Sequence, residues 1–438
     1  MSPTASIAGS FDAIVVGAGP AGSMAAWRLA SLGRRVILLE RGEYPGAKNL
    51  FGGMVYSPEL AKHFPDFIQH APIERPVTRH STYVLSRGRS ISIDFASEAF
   101  GEAPYNGFTA LRSRFDRWLA DQAVRAGALL VPSTVVDGLI IERGGVAGVL
   151  ARREQGELRA PVVICADGVL SLLGKQAGLI RERPKAHYSL GVREVLALPP
   201  KLIEDRFQID SNGGCAALFL GQWSGGLQGG GFLYTNRDTL SVGFVAQLPS
   251  LEATGASITE ALDAFKREPA VRRLIAGAER LEYGAHLVPE GGYPMRPKLV
   301  RDGMMLVGDA AGLVLAAGVI YEGVHYAMHS GVLAAEVAHE ALAKGDVSER
   351  ALSEYPRRLD RSYVTHNLRA FRHVPALIAN PRLYAHYPDA MCRVAEDFFR
   401  ADENGHEKLA VLLRKHVGRA GLLNGLKDAW AAARAMFW

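Results

Sequence analysis

The stretch FDAIVVGAGPAGSMAAWRLASLGRRVILLER, residues 11–41, decides the fold of this chain. It opens on Ile14, Val15 and Val16, a short apolar run suited to a parallel strand buried on both faces. Gly17, Gly19 and Gly22 follow as GxGxxG. The first glycine permits a tight turn, the second lets backbone approach a pyrophosphate, and the third lets the next helix pack close to the sheet. That helix, about Gly22 to Leu32, offers free N–H groups and its positive dipole end to phosphate; Gly33 ends it. RRVILLE is then a second strand, closed by Glu40, 21 residues beyond Gly19. A carboxylate there can accept hydrogen bonds from adenosine ribose hydroxyls and argues against a 2′-phosphate. The competing reading is a glycine-rich turn that binds nothing. Strand, turn, helix, strand and terminal acid in register count against it.

Two further segments are of the same kind. VVICADG, residues 162–168, is a strand that ends in Asp167 and Gly168, where the chain can come close to the dinucleotide; Ser171 and Lys175 follow on a short helix. GMMLVGDAAG, residues 303–312, is a strand that delivers Asp309 at its carboxyl end, suited to ribityl hydroxyls. A plain turn carboxylate is the alternative for Asp309. The pattern GVIYEGVHYAMHSGVLAAEVAHEAL, residues 318–342, predicts a long helix opening near Gly323. Its N-terminus, aimed at a flavin pyrimidine, would stabilise the anionic reduced ring. Together and in this order the three segments read as one FAD cradle, and redox chemistry becomes the default function.

The rest of the composition bounds the answer. A chain of 438 residues exceeds one simple core, so two or three intertwined domains are expected. A hydrophobic content of 48% with 22% charged residues describes a packed globular protein. The net charge of +5 comes without an aromatic-interleaved basic stripe, so nucleic acid is not an expected partner. The first ten residues read as a short tail and not a signal peptide, which points to the cytoplasm. The longest apolar stretch, Met304 to Ile320, is interrupted by Asp309 and reads as strand and loop, not as a membrane span. The cysteines are three, Cys165, Cys215 and Cys392, with no CxxC. A cubane iron–sulfur cluster normally takes four thiolates, so the chain is expected to hold none by itself. Cys165 reads as inert core; Cys215 is either buried structure or near a site. No histidine spacing suggests a metal site, and no Ser/His/Asp set stands out.

With Arg112 in TALRSRFDRWLADQAVRAGA between the first and second segments, the ordered set resembles the glutathione-reductase-like FAD superfamily. More narrowly, LERGEYPGAKNLFGG, GGGFLYTNRDTLSVGF, AHLVPEGGYPMRPKLVRDGMMLVGDAAG and ANPRLYAHYPDAMCRVAEDFF resemble the electron-transfer-flavoprotein:quinone oxidoreductase family and its short, FixC-like branch. The resemblance spans nearly the whole chain. It implies an α/β fold: a Rossmann-like FAD-binding domain from residues 1–80, 105–182 and 286–345, an inserted sheet-rich domain on the substrate and quinone side from 81–104 and 183–285, and a C-terminal helical segment, 346–438, facing membrane or subunit.

The resemblance also implies site residues. Gly17, Ala18, Gly19, Pro20, Ala21 and Gly22, with Glu40 and Arg41, would hold the ADP half. Arg112 would contact the phosphate or ribityl region. Val136, Ala166, Asp167, Gly168, Gly308 and Asp309 would complete the cradle. The run from Lys48 and Asn49 to Gly53 would pass the isoalloxazine, although Lys48 is equally a solvated surface charge. Gly323 and Val324 would open the helix that faces the flavin, with Tyr321 and Glu322 as flavin-tuning candidates. Tyr321 stands where the Fix-type pattern has a basic residue, and simple packing is its alternative.

The implied function is a relay of electrons from a two-subunit electron-transfer flavoprotein through FAD to a membrane quinone, with a separate ferredoxin-like iron–sulfur subunit carrying the cluster. Nitrogen-fixation electron supply is one Fix-type role. The C-terminal KLAVLLRKHVGRAGLLNGLKDAWAAARAMFW mixes apolar residues with Lys408, Arg414, Lys415, Arg419, Lys427 and Arg434, and adds Trp430, Phe437 and Trp438. It fits either a peripheral helix on the inner membrane face or a helix packed on protein. Three other functions compete: a prenyl-chain reductase similar to geranylgeranyl reductases, an aromatic hydroxylase, and a non-enzymatic binding protein. Against the first, GFLYTN lacks the Tyr-x-Trp-x-Phe-Pro pattern. Reduction by NAD(P)H would mark the second, and a colourless protein the third.

Overall fold

The computed structural model describes residues 10–49, 53–152, 156–223, 226–318, 320–403 and 405–437, with backbone alone at 419–423, 436 and 437. Strands β1 (Ala13–Val16), β2 (Val36–Leu39), β7 (Leu129–Val131), β11 (Val162–Cys165), β17 (Val300–Arg301) and β18 (Met304–Leu306) form a six-stranded sheet in the order β17-β18-β11-β1-β2-β7. All its pairings are parallel except β17 with β18. β1, β2, β11 and β18 are buried at every position, and so they are apolar throughout and do not alternate. Helix α1 (Pro20–Ser31) connects β1 to β2 and packs against α8 (Val324–Lys344). The contact is close because Gly331 faces α1 without a side chain: a Cβ there would sit 2.1 Å from the Ala21 carbonyl oxygen.

The second layer is a seven-stranded sheet of β4 (Val77–Ser86), β5 (Arg89–Ala96), β12 (Tyr188–Ala197), β13 (Gly214–Gln222), β14 (Gly229–Thr235), β15 (Thr239–Gln247) and β16 (Glu279–Pro289), ordered β16-β12-β15-β14-β13-β4-β5. Its strands alternate. Val192, Leu233, Val242, Phe244 and Phe219 point to one face, under Ile203 and Phe207 of α5 (Pro200–Phe207) and Leu262 and Phe265 of α6 (Ile258–Arg267). By register, Arg193, Phe232, Tyr234 and Ser241 occupy the other face. Arg75 ties the layers together, donating to the carbonyls of Asn236, Gly213 and Arg237 and pairing with Glu204. The 80/81 and 285/286 limits read from sequence fall inside β4 and β16, which belong to the second sheet over their whole length. Smaller pieces are the pair β3 (Met54–Tyr56) and β6 (Gly107–Thr109), the meander β8 (Val136–Glu142), β9 (Gly145–Ala151) and β10 (Glu157–Arg159), and the pair β19 (Leu315–Ala316) and β20 (Tyr321–Glu322).

Past α8 the chain is helical. α9 (Tyr363–Ala370), α10 (Val374–Ile378) and α11 (His386–Phe399) lead to α12 (Leu409–Phe437), which is broken at Gly418 (φ 66°, ψ 169°). Leu412 and Ala435 are buried, and the Asp428 carboxylate accepts from Arg382 at 2.6 and 2.7 Å. Leu409, Val411, Leu413, Leu426 and Trp430 nevertheless remain exposed. One side of the segment thus rests on protein, while these apolar side chains face outward. The side chains of Arg419 and Phe437, and all of Trp438, lie outside the described residues. No helix among the described residues is long and apolar enough to cross a membrane.

Candidate functional site

The site is built at the carboxyl ends of β1, β11 and β18, where open α/β sheets bind ligands. Gly17 has φ +100°, and a Cβ would lie 2.3 Å from the Ala166 carbonyl oxygen, so the turn after β1 touches the turn after β11. At Gly22 a Cβ would lie 1.8 Å from the Gly17 carbonyl oxygen. Gly19 differs. Above it the nearest groups are the Asn49 carboxamide at 3.7 Å and the Arg112 guanidinium at 3.8 Å from an added Cβ. Gly19 caps α1 with no side-chain hydrogen bond, and Pro20 begins the helix. The space over Gly19 is therefore bounded by a helix N-terminus, a cation and an amide, the donor set that an anion such as a pyrophosphate needs.

The residues predicted from sequence converge here from distant positions. Glu40 is buried and accepts from the backbone N–H of Ala18 at 2.9 Å and of Gly42 at 2.7 Å. Its carboxylate therefore also clamps the glycine turn to the end of β2, and each oxygen keeps a lone pair for a hydroxyl donor. Arg112 begins α3 (Arg112–Arg125) and donates to both Asp116 oxygens at 2.6 and 2.7 Å, while Asn49 donates to the same carboxylate at 2.6 Å. Burial lowers the Arg112 pKa, but the neighbouring charges of Asp116, Asp309 and Glu40 outweigh it and raise it. Asp309 is shifted up by burial, against the pull of Arg112. Gly308 (φ +61°) brings the Asp309 turn against Ala21. Asp167 accepts from the N–H of Leu173 in the short helix α4 (Leu172–Gln176), while its Oδ1 is buried with no partner. Gly168 has φ +81°. Arg41 and Lys48 are exposed, and Val136 starts β8 beyond the end of β7. Leu50, Phe51 and Gly52 lie outside the described residues.

The second sheet roofs the cradle. Gly53 (φ +141°) faces Tyr234 and Ser241, 3.6 and 3.7 Å from a Cβ placed there. Gly323 caps α8, and Val324 begins it. Tyr321 and Glu322, just before it, form β20. Tyr321 lies beside Glu290, whose carboxyl is pushed up to about 7 by burial, against the Ser189 and Tyr321 hydroxyls that favour its ionised form. Glu322 lies 3.3 Å from His325 Nε2.

Sequence reading missed Arg193 and His286. Arg193 donates to Glu282 at 2.5 Å, but its Nε and Nη1 are buried and unpartnered, and burial lowers its pKa. His286 is lowered by burial, then by Arg112 and Arg41. Both face the cradle from alternate positions of sheet strands, where strand alternation was the one sequence signal and β12 offered six buried residues in succession to mask it. Orphaned donors on Arg193, the orphaned Asp167 Oδ1 and the open face of Gly19 suit a phosphate-bearing, hydroxyl-rich ligand such as FAD. The cysteines take no part: all three are buried and free, and burial raises their thiols, Cys215 to about 11.

Comparison with known proteins points to the same cofactor. Residues 12–94 and 105–337 match the FAD dependent oxidoreductase family, and residues 374–437 match the ETF-QO/FixC family C-terminal domain. The chain is 42% identical over 426 residues to a probable electron transfer flavoprotein-quinone oxidoreductase, YdiS, of Escherichia coli, covering 97% of this chain and 99% of that one. It is 38% identical over 429 residues to Protein FixC of Azotobacter vinelandii, again covering 97% and 99%. Among solved structures, a geranylgeranyl bacteriochlorophyll reductase-like protein from Thermoplasma acidophilum superimposes with a TM-score of 0.72 over 96% of this chain and 99% of that one, at 22% identity. That likeness is one of fold. The full-length identities carry the assignment: the chain belongs to the ETF-QO/FixC family of FAD-dependent oxidoreductases and serves in electron transfer.

Proposed function

We propose that this protein accepts electrons from a two-subunit electron-transfer flavoprotein and passes them by way of FAD to a membrane quinone, as one subunit of a Fix-type complex. The observation that carries the reading is near-full-length identity of 42% to a relative named for that reaction. The cysteine count supports the division of labour. Three separated, buried thiols cannot ligate a cubane cluster, so a separate ferredoxin-like subunit would supply one. Exposed Leu409, Val411, Leu413, Leu426 and Trp430, interspersed with Arg414, Lys415 and Lys427 on α12, support a peripheral place on an anionic membrane face.

In this reading Gly17 through Gly22 and Glu40 hold the ADP half, and Arg112, Asp167 and Asp309 hold the phosphate and ribityl region. Gly53 permits close approach of the ring system, and Gly323 and Val324 aim the α8 dipole at it. The bound flavin supplies two-electron and one-electron chemistry. The protein orients it, neutralises its phosphates and sets its potential through the α8 N-terminus, Tyr321, Glu322 and Glu290. Asn49 stands with Arg112 over Gly19, and Arg41, Lys48 and Val136 line the margins.

The test is anaerobic bleaching of the purified yellow protein by NADH, by NADPH and by a reduced electron-transfer flavoprotein, each followed by a water-soluble quinone. Bleaching by the flavoprotein alone, with reoxidation by quinone, is expected. Fast bleaching by NAD(P)H overturns the relay and favours a prenyl-chain reductase or hydroxylase.

A further inference from the structure

Several buried charges in this chain are met by partners of their own. Arg75 donates to backbone carbonyls and pairs with Glu204. Glu59 of α2 (Pro58–His63) meets His329 at 3.0 Å and the Tyr363 hydroxyl at 3.2 Å. Arg193 of β12 differs. It is buried, and its Nη2 donates at 2.5 Å to Glu282, a carboxylate half exposed to solvent. Its Nε and Nη1 are also buried, and they have no partner among the described residues. Burial lowers its pKa, Glu282 opposes the shift, and the charge of Arg112 adds to it. Unmet N–H groups on a buried cation are costly, and an apolar side chain would fill the place with equal or better stability. The donors are satisfied when a ligand oxygen enters between the sheet and the cradle.

Strand register shows which part of a bound FAD they face. Arg193 pairs with Gly243 of β15, and Gly243 with Phe232 of β14. A Cβ at Gly243 would lie 2.1 Å from Phe232 Cζ, so the Phe232 ring lies over that glycine, on the face that carries Arg193. The next row of the same face, about 7 Å along the strands, holds Ser241 and Tyr234. Gly53 faces these two residues. The rings of Phe232 and Tyr234 lie 5.5 Å apart between centroids. Arg193 therefore borders an aromatic pair and the glycine that leaves room for the ring system. The phosphate donors gather elsewhere: Arg112, Asn49 and the N-terminus of α1 stand over Gly19. The other charged or titratable groups toward Arg193 are Glu282 and His286 of β16 and Arg112 of α3.

We propose that Arg193 donates from Nε and Nη1 to the flavin ring of bound FAD and favours its reduced, anionic form. The proposal rests on the reading of Gly53 as the border of the ring system, and not on the identity of the electron donor or acceptor. Uptake of two electrons and one proton leaves one negative charge on the flavin ring. A buried guanidinium within hydrogen-bond reach stabilises that charge more than it stabilises the neutral oxidised ring. Arg193 thus joins the N-terminus of α8 in setting the flavin potential.

The test compares the FAD-loaded native protein with Arg193→Met and Arg193→Lys. Flavin midpoints are read during slow anaerobic reduction by xanthine and xanthine oxidase beside a reference dye. The FAD Kd is read by titrating apoprotein with FAD. Arg193→Met is expected to keep its flavin but to favour the reduced form about tenfold less, or weaker still. For a two-electron couple that lowers the midpoint by about 30 mV or more. Arg193→Lys keeps the charge and should recover most of the shift. A further readout needs no flavin: the Arg193→Met apoprotein should withstand urea at least as well as the native apoprotein, because the substitution removes an unmet buried cation. An unchanged midpoint overturns the proposal, and an unchanged midpoint with a raised FAD Kd assigns Arg193 to the phosphates instead. An Arg193→Met apoprotein that unfolds earlier than the native one makes Arg193 part of the frame of the fold and likewise overturns it. A native protein that binds no FAD overturns the proposal and the cradle together.

Discussion

Replacing Glu290 with glutamine should make the protein more stable at alkaline pH and leave it unchanged in acid. Glu290 is buried beside Ser189 and Tyr321, with its N–H held by the His187 carbonyl at 2.8 Å. Burial pushes its carboxyl from an ordinary value of 4.5 up to about 7. Below the ordinary value the group is neutral in folded and unfolded chains alike, and it contributes no pH dependence. Between 4.5 and about 7 the folded protein keeps a proton that the unfolded chain has released, so stability falls as pH rises. Above about 7 the loss is complete. At about 1.4 kcal/mol per pH unit separating the two values, ionising Glu290 in place costs on the order of 3 kcal/mol. Glutamine has nearly the same shape and never ionises. The assay is urea unfolding of native and Glu290→Gln proteins at matched FAD loading, from pH 4.5 to 8.5. The gap between them should be near zero at the acid end and widen to on the order of 3 kcal/mol at pH 8. Comparing the two proteins at each pH cancels the other titrating groups. A gap that stays constant with pH, or a variant less stable than the native protein at pH 8, refutes the reasoning.

Other consequences follow from the same geometry. Gly22→Ala puts a Cβ 1.8 Å from the Gly17 carbonyl oxygen, so it should cost about 3 kcal/mol or more and lower the flavin-to-protein absorbance ratio. Arg112→Leu leaves the Asp116 carboxylate buried with Asn49 as its remaining side-chain donor among the described residues, a loss of about 3–5 kcal/mol by chemical denaturation. Adding Asp116→Asn should recover most of that stability without restoring flavin affinity. Leu426→Glu with Trp430→Glu, both at exposed sites on α12, should reduce co-sedimentation with phosphatidylserine vesicles severalfold and leave the flavin spectrum unaltered. Equal sedimentation of the two proteins would remove α12 from the membrane contact.

Much of the cradle was legible in the chain because its determinants are local. A glycine at positive φ, an apolar run and an acid at a strand end are properties of short segments, so β1, α1, β2, β11, β18 and α8 lie close to where their residues predicted them. The reading of Glu40 as a ribose ligand did not anticipate that it also clamps Ala18 and Gly42, since that needs the turn geometry. The 80/81 and 285/286 limits cut strands because hydrophobic pattern fixes a strand's ends only to within a few residues. Arg193 and His286 stayed hidden for a related reason: alternation assigns a face, but only the pairing of β12 with β15 and β16 turns that face toward Arg112.

The amino-acid sequence alone determined the dinucleotide turn, the order of the three flavin segments and the want of thiolates for a cluster, because each depends on residue type and spacing within a few positions. Tertiary structure alone decided which charges meet. Asp116 is shared by Arg112 and Asn49, and Glu59 draws together His63, His329 and Tyr363. Those partners lie up to several hundred residues apart, and the cost of burying each charge is offset only where packing sets its counterpart within hydrogen-bond reach.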